Sequence, residues 1–286
     1  ATVPRVVLNN HKEVARCALR WRARYPGVPL GLAKRDVKGA FKLVWINPED
    51  AELMATDLPG DPAGFAEAII AVFLVLTFGW TGSPGHWQAW AEAIKVWHCA
   101  CAPKQAWRDG PEPFESFMVV DDGALVEPRL GDRQELSAST WGGCLTRLLG
   151  DRALNEEKKV EEGEFKRSHI LWGLVTDVEE LSFSMPEQKL VKAQFVLDDP
   201  VYDPGRRWVK VRDLQVLRAN LQHWSIAQPR LIPELSIIDR MLKGATPDRI
   251  FIAGAELPYW AWEDYEDLIE YARVGSPELW VTSFTT

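Results

Sequence analysis

The chain has 286 residues, of which 47% are hydrophobic and 26% are charged, and its net charge is −8. These are ordinary globular values, with enough length to bury the core of one large domain or two small ones. The longest apolar run, residues 68–80, is shorter than the roughly 20 residues that a bilayer span needs, which excludes it as a membrane segment. The four cysteines are too sparse for a disulfide scaffold, so we expect an intracellular, reducing setting in the cytoplasm or nucleus.

The charge is unevenly distributed along the chain. Residues 1–45 carry ten basic and two acidic side chains, a net +8, and the remaining 23 basic and 39 acidic side chains sum to −16. A basic face on an acidic body can attract phosphates, because local potential steers binding more than net charge does. A solvated surface explains the same pattern equally well.

The N-terminal part of the chain predicts a helix and then a strand that ends at an aspartate. Asn10 and Glu13 form a capping-box pattern, and apolar residues then recur at helical spacing, which predicts a helix over 11–24. The stretch GLAKRDVKGAFKLVWI mixes apolar and basic residues and predicts a strand that reaches Asp36. A turn at Gly39 and a short helical or extended piece follow.

The middle of the chain predicts two strands, a helix and a hairpin. AELMATDLPG and AIIAVFLVLTF predict strands separated by a Gly/Pro turn, the second of them buried. Ser83 as an N-cap with Pro84 after it predicts the start of a Trp-rich helix. Residues 102–116 form a Pro/Gly-rich loop. SFMVVDDGALVEP then predicts a hairpin with Asp121 and Asp122 at or near its turn.

The remaining patterns predict a helix, a second hairpin and a helical module. Residues 132–149 have helical periodicity and end at Gly150, and HILWGLVTD with LSFSMP predicts a hairpin. From residue 208 onward we expect helices over VRDLQVLRANLQHWS, PELSIIDRMLKG and YEDLIEYARV. This order predicts an α+β fold, an antiparallel sheet backed by helices and followed by a mainly helical part.

Two adjacent carboxylates after four apolar residues are costly, because like charges repel and burial removes their hydration. A divalent cation would remove the cost between Asp121 and Asp122, and Mg²⁺ prefers carboxylate oxygens. Asp36, at the end of another strand, would be a third ligand for two-metal phosphoryl transfer. An ordinary Asp-Gly turn is the simpler alternative.

Several motifs, in order, resemble those of retroelement reverse transcriptases. They are DVKGAF (36–41), LTFGWTGSPGHWQ (76–88), VVDDGALV (119–126) and LNEEKKVEEGEFKRSHILWGLVTD (154–177). LSFSMPEQKL resembles the family's entry to the thumb, and the later helical tract resembles thumb and connection segments of DIRS-type retrotransposons. The resemblance covers nearly the whole chain. It implies a right-hand polymerase fold, with fingers and palm over 1–180 and thumb and connection over 181–286.

The resemblance also implies the roles of the polar site residues. Asp36, Asp121 and Asp122 match the carboxylates that hold two Mg²⁺ ions, with Mn²⁺ as an alternative. Lys158 or Lys159 matches a lysine proposed as an acid toward pyrophosphate, because the match can shift by one position, and we take Lys159 as the candidate.

Further roles are implied for residues that would contact the nucleic acid and the incoming deoxynucleoside triphosphate. Phe41 matches the aromatic gate that excludes a ribose 2′-hydroxyl, and Phe78, Gly79 and Trp80 match the segment under the nucleotide and the template base. The primer grip is matched by Trp172 and Gly173.

The sequence departs from the family pattern at several points. Val119 stands where relatives usually have an aromatic residue, from which we expect altered efficiency. Gly39 and Gly85 replace residues that are commonly Asp and Ala. The chain begins at Ala1 without a signal-like start, so we expect a fragment whose fingers are incomplete and whose RNase H domain lies downstream of Thr286.

Other constellations carry weaker signals. HCAC (98–101) fits no common zinc spacing and predicts a helix end with packed thiols. RRWVKVR (206–212) is either a phosphate-tracking segment or a solvated edge strand. The acidic stretch 262–271 would face away from a duplex or toward a protein partner.

Three functions follow for testing. The first is an RNA-directed DNA polymerase that acts on a primed RNA or DNA template. The second is a domesticated relative that binds nucleic acid or a protein without polymerising. The third is an unrelated Trp-rich binding module whose DDG is a plain turn.

Overall fold

The computed structural model describes residues 4–58, 69–103, 112–203, 208–229, 231–243, 250–252 and 281–284. The chain divides into two compact units, residues 1–169 and 170–286. The domain boundary predicted at residue 180 therefore falls inside the second unit. Within the described residues, no helix is both long enough and apolar enough to cross a membrane.

The first unit is an antiparallel sheet covered by helices. Its elements are α1 (His11–Arg24), β1 (Leu30–Asp36), β2 (Ala55–Leu58), β3 (Ile69–Val72), α2 (Ser83–Ala100), β4 (Ser116–Val119), β5 (Asp122–Pro128), α3 (Arg133–Leu149) and α4 (Glu156–Glu162). Strand β6 (Ser168–Leu171) crosses into the second unit. The central sheet has the order β1-β5-β4, with both pairings antiparallel. This confirms the expected sheet-and-helix pattern for this part of the chain.

The first helix begins where the capping pattern predicts. Asn10 Oδ1 accepts hydrogen bonds from the backbone N–H groups of Lys12 and Glu13, and the Glu13 carboxylate accepts from the Asn10 N–H. Such a cap contributes about 1 kcal/mol to helix stability. The Trp21 indole donates to the carbonyl of Val126, which ties α1 to the sheet.

A core between the sheet and helices α2 and α3 supports the ends of β1 and β5. Trp87 and Ile94 from α2 meet Met118, Leu125 and Trp141 there, all of them essentially inaccessible to solvent. Full burial of each large apolar side chain contributes about 1.5–3 kcal/mol. Because these side chains fix the strand ends, the hairpin turn that carries the two aspartates has a rigid base.

The apolar run 68–80 was predicted to be buried, and this is wrong. Of its described residues, Ile69–Val72 form the short strand β3, whose partner among the described strands is β2, and Ile70 and Phe78 are 63% and 79% exposed. A two-stranded ribbon has no second layer to cover both faces, and hydropathy alone does not reveal whether a strand has such a partner. Leu76 is the buried exception, at 3%.

Helix α2 begins at Ser83, as predicted, but Ser83 is not its N-cap. Its N-cap is Gly82, without a side-chain cap, and Ser83 instead donates its hydroxyl to the carbonyl of Thr77 at 2.6 Å. At the other end, His98 is fully buried, but Cys99 and Cys101 are exposed, so the expected packed thiols are wrong there. These two cysteines lie in the last turn of α2 and just after it, where the helix leaves the core.

A buried polar cluster lies beneath the far end of the sheet. The Glu127 carboxylate accepts from Arg133 Nε at 2.6 Å and from Ser137 Oγ at 3.2 Å. His98 Nε2 lies 3.0 Å from the Ser137 carbonyl, and its Nδ1 lies 3.1 Å from Ser116 Oγ. The Nε2–H tautomer satisfies both contacts, because only a protonated Nε2 can donate to a carbonyl.

The second unit has a small sheet and a group of helices. Its further elements are β7 (Leu174–Asp177), β8 (Ser182–Ser184), α5 (Glu187–Leu197), β9 (Trp208–Lys210), α6 (Val211–Trp224), α7 (Leu231–Leu242), β10 (Ile250–Ile252) and β11 (Val281–Ser283). The sheet order is β11-β8-β7-β6, and β9 pairs with β10. Leucines at helical spacing in α6 pack with Ile238 and Met241 of α7 in one apolar core. The helix predicted over YEDLIEYARV and the acidic stretch 262–271 lie outside the described residues.

Candidate functional site

The register of β1 and β5 brings the predicted carboxylates to one end of the sheet. Asp36, the last residue of β1, is the direct partner of Asp122, the first residue of β5. Directly opposed Cβ atoms in an antiparallel pair lie about 4.5–5.5 Å apart on the same face. Asp121 lies in the turn before Asp122, and its carbonyl accepts a hydrogen bond from the Val37 N–H at 3.0 Å. The structure thus brings all three aspartates together.

The turn that carries Asp121 is strained. Val120 has φ = 54°, a conformation that β-branched residues rarely adopt. Positive φ at the first central position alone is the pattern of a type II′ hairpin turn, in which that position is usually Gly. The Trp87 indole donates to the Val120 carbonyl at 2.7 Å, so a core side chain holds the strained residue in place.

Asp36 is buried and accepts from two side chains that follow α3. Its carboxylate is 8% exposed. Oδ1 accepts from Lys158 Nζ at 2.5 Å, and Oδ2 accepts from Asn155 Nδ2 at 2.7 Å. The Asn155 N–H also donates to the Asp36 carbonyl at 3.2 Å. Asp36 is therefore fixed by neighbours from α4 and from the residue that caps it.

Helix α4 is attached to β1 at both of its ends. Asn155 caps its N-terminus by accepting from the Lys158 N–H. At the C-terminus, Glu162 pairs with Lys34. The buried Arg35 Nη1 donates to the Gly163 carbonyl at 2.6 Å. Burial lowers the pKa of Arg35 to about 10, which still leaves the guanidinium charged at neutral pH.

Of the two candidate lysines, Lys158 lies at the aspartates and Lys159 does not. Lys159 pairs with Glu156 on the exposed side of α4, at 2.8 Å. Adjacent helical residues point about 100° apart, so a shift of one position decides which lysine faces Asp36. The prediction of Lys159 is corrected to Lys158 as the lysine at the site. Its chemical role is a separate question.

The charges of the site perturb one another. The pKa of Asp122 is raised above its ordinary value, first by burial and then by the negative charges of Asp121 and Asp36. The pKa of Lys158 is raised, mainly by its hydrogen bond to Asp36. The site therefore has excess negative charge that Lys158 compensates in part, and a further cation there would be stabilised.

Oxygen donors of this kind suit a hard divalent cation in their chemistry. In the part of the chain that the structure describes, however, no three His, Cys, Asp or Glu side chains already form a metal-binding group. Both Asp36 oxygens accept from protein donors instead. Binding of Mg²⁺ would require Asp36 to exchange at least one of these partners.

The residues predicted to contact a nucleotide lie along one wall of the first unit. Phe41 is 7% exposed and packs against Phe78, with ring centroids 5.1 Å apart. Gly79 has φ = 93°, and Trp80 stacks on His86. A cavity of about 680 Å³ opens beside them, lined by Lys42, Leu53, Met54, Ala55, Thr56, Phe73, Val75, Leu76, Thr77, Phe78 and Trp80.

The predicted primer-grip residues form the turn between β6 and β7. Trp172 and Gly173 both have positive φ, 45° and 90°, as a two-residue type I′ hairpin requires. A Cβ on Gly173 would lie 2.4 Å from Lys189 Nζ and 3.1 Å from His223 Nε2. Glycine is therefore favoured at this turn mainly for its backbone conformation, because the Lys189 ammonium is the mobile end of a flexible side chain.

The sequence patterns missed two residues that shape the site, Asn155 and Arg35. Asn155 precedes two glutamates, a helix-start signal that would have placed the N-cap at 155 and Lys158 in the first turn. Arg35 lines the same small pocket as Asp36 and Asp122, but nothing in the sequence reveals its contact with Gly163.

The fold resembles that of a viral reverse transcriptase. A foamy viral protease-reverse transcriptase in complex with an RNA/DNA hybrid matches with a TM-score of 0.53 and 11% identity, over 85% of this chain and 27% of that one. The dRH form of that protein, in complex with double-stranded DNA, matches with a TM-score of 0.55 and 11% identity, over 94% of this chain and 38% of that one.

No protein-family model and no curated protein matches the sequence. The chain spans less than two fifths of the length of these two structures. At 11% identity the likeness concerns the fold. The chain therefore has a reverse-transcriptase-like fold, whose mixed helices and antiparallel sheets agree with the predicted α+β class.

Proposed function

We propose that this chain is the polymerase part of a reverse transcriptase that extends a primer on an RNA or DNA template with deoxynucleotides. The observation that carries the proposal is the convergence of Asp36, Asp121 and Asp122 at one end of the β1-β5-β4 sheet. The reverse-transcriptase-like fold supports it. Buried or half-buried like charges are costly, so their convergence is best explained by a cation-dependent role.

The three aspartates would hold Mg²⁺. The metal would supply activation of the primer 3′-hydroxyl and charge stabilisation on the departing pyrophosphate. In the reaction the primer 3′-hydroxyl would lose its proton to solvent, its oxygen would form a bond to the α-phosphorus, and the bond from that phosphorus to the bridging oxygen would break. Lys158, next to the aspartates, would donate a proton to the leaving pyrophosphate.

The surrounding residues would orient the substrates. Phe41, packed against Phe78, would form the wall that discriminates against a ribose 2′-hydroxyl. The exposed Phe78 ring and Trp80 would contact the nucleotide and the template base, and the Trp172–Gly173 turn would contact the primer. The proposal includes a right-hand arrangement of fingers, palm and thumb, and an RNase H domain elsewhere in the protein. A DIRS-type retroelement origin belongs to the same proposal.

A second candidate function is nucleic-acid or protein binding without polymerisation. The observation that favours it is the direct ion pair between Lys158 and Asp36, which satisfies that carboxylate without a metal. In a non-polymerising relative the pair would be a permanent structural contact.

Primer extension on an RNA template separates the two functions. With Mg²⁺ present, we expect the unaltered protein to extend the primer, and Asp121→Asn to lower the rate by about 100-fold or more, the loss typical when transition-state charge stabilisation is removed. Asp121 is an exposed turn residue, so its substitution leaves the core intact.

Asp132→Asn is the matched control, because Asp132 is also exposed but lies just before α3. It should retain activity. Extension by Asp121→Asn at the unaltered rate would contradict the metal site. Binding of a primed template without extension by any variant would favour the second candidate.

A further inference from the structure

Both carboxylate oxygens of Asp36 are occupied by protein donors, and one of these donors is a cation. Lys158 Nζ lies 2.5 Å from Oδ1, and Asn155 Nδ2 lies 2.7 Å from Oδ2. The Asp36 side chain is 8% exposed, whereas the Lys158 side chain is 49% exposed. The ammonium therefore approaches Asp36 from the open side of the site, which is also the side from which a dissolved ion would arrive.

We propose that Lys158 is an internal counter-cation that competes with the divalent metal for Asp36, so that metal binding and release of the lysine are coupled. The inference rests on the proposed function, because it assumes that Asp36 is a metal ligand. It adds a role for Lys158 before the chemical step. Without metal, the ammonium offsets the charge of the aspartates. With metal, the ammonium is freed.

The surroundings allow Lys158 to leave without disturbing the rest of the site. Asn155 keeps its own hydrogen bonds to the Asp36 side chain and backbone. The opposite end of α4 stays attached through Glu162 with Lys34 and through Arg35 with the Gly163 carbonyl. A flexible lysine stem on an anchored helix can therefore swing its head away while the helix remains in place.

The exchange has a chemical consequence for the released ammonium. Its Cα stays fixed beside the aspartates, so the charge remains within a side chain's length of any phosphate bound there. An ammonium held by Asp36 is neutralised, whereas a released one can meet the polyanionic leaving group. Coupling would make the lysine available to the phosphates once the metal has arrived.

The coupling predicts opposite changes in metal affinity and in catalysis. In Lys158→Met, the competing cation is absent, and Mn²⁺ should bind the nucleotide-free protein about three- to fivefold more tightly, as expected for the loss of a half-exposed ion pair. Free Mn²⁺ can be measured by electron paramagnetic resonance at low salt. Primer extension by the same variant should fall.

Lys159→Met is the matched control, because it removes one positive charge from the next position of the same helix without touching Asp36. It should leave Mn²⁺ affinity nearly unchanged, and Lys158→Gln should reproduce the effect of Lys158→Met. In the Asp36→Asn background, replacing Lys158 should no longer tighten binding, since the contested carboxylate is gone.

Two failures are distinguishable. Equal Mn²⁺ affinity in Lys158→Met and Lys159→Met would overturn the competition while leaving the metal site intact. The absence of Mn²⁺ binding in both the unaltered protein and Lys158→Met would overturn the metal site, and the competition with it. Tighter binding in both lysine variants would mean a general charge effect and would also overturn the specific contact.

Discussion

Replacing Asp122 with asparagine should stabilise the metal-free protein while it removes catalysis. Asp122 is half-buried, directly opposite Asp36 and adjacent to Asp121, and its pKa is raised by burial first and then by those charges. An amide of the same shape carries no charge to desolvate or repel. The site would lose a metal ligand and, in the same step, an unfavourable electrostatic interaction.

The size of the effect follows from the geometry. Like charges opposed across an antiparallel pair cost about 0.2–1 kcal/mol. The solvent exposure of Asp122 and the positive charge of the nearby Lys158 weaken the repulsion, so we expect a cost in the lower half of that range. A gain of about 0.5 kcal/mol corresponds to about 1–2 °C in Tm for a chain of this size. Because the pKa of Asp122 is raised, the destabilisation of the folded protein by its charge is absent below the ordinary pKa of 3.8. This destabilisation grows as pH rises through the folded-state pKa.

Tryptophan fluorescence during thermal unfolding, with a chelator present, measures this shift. Asp36→Asn is the contrasting variant. The NH2 group of its new amide would face one of the two donors, Asn155 Nδ2 or Lys158 Nζ, and the charge that binds Lys158 would be lost, so its Tm should fall. Added Mg²⁺ should raise the Tm of the unaltered protein more than that of Asp122→Asn. A Tm loss in Asp122→Asn equal to that in Asp36→Asn would refute the repulsion argument.

Two further predictions concern the sugar gate and the buried cluster. Phe41→Ala should raise incorporation of ribonucleotides relative to deoxynucleotides in primer extension, because it shortens the wall beside Phe78; an unchanged ratio would remove Phe41 from that role. Burial lowers the pKa of His98 to about 4, so stability should fall as pH drops from 6.5 toward 4, by about 2 kcal/mol between pH 7 and 5. Urea unfolding measures this loss of stability, and the His98→Gln variant should show little of it. An equal loss in His98→Gln would mean that another group titrates.

Local sequence signals were sufficient for much of the first unit. The Asn10–Glu13 pattern fixed the start of α1, and the apolar run before Asp121 fixed the hairpin, because caps and turns depend on residues close in sequence. Helical periodicity likewise predicted α3 and α6. From these elements the α+β class follows.

The site required information that local patterns do not contain. The pairing of Asp36 with Asp122 depends on the register of two strands that are 86 positions apart in sequence, and only the motif order suggested it. The choice between Lys158 and Lys159 depended on the first residue of a seven-residue helix. The exposure of residues 69–80 depends on which other elements pack over them, and this is a property of the tertiary structure that hydropathy does not contain.

The strain in the turn and the charge repulsion at the strand ends occur in one small region for a physical reason. Val120 in a left-handed conformation costs about 1–3 kcal/mol, and the opposed aspartates add to that cost. Both are tolerated because buried Trp87 binds the turn carbonyl and the core beneath β4 and β5 is closely packed. A plain Asp-Gly turn would need neither the buried support nor Lys158 as a counter-charge. A cation would relieve the charge repulsion, so the energetics of the metal-free site favour a cation-binding role over an ordinary turn.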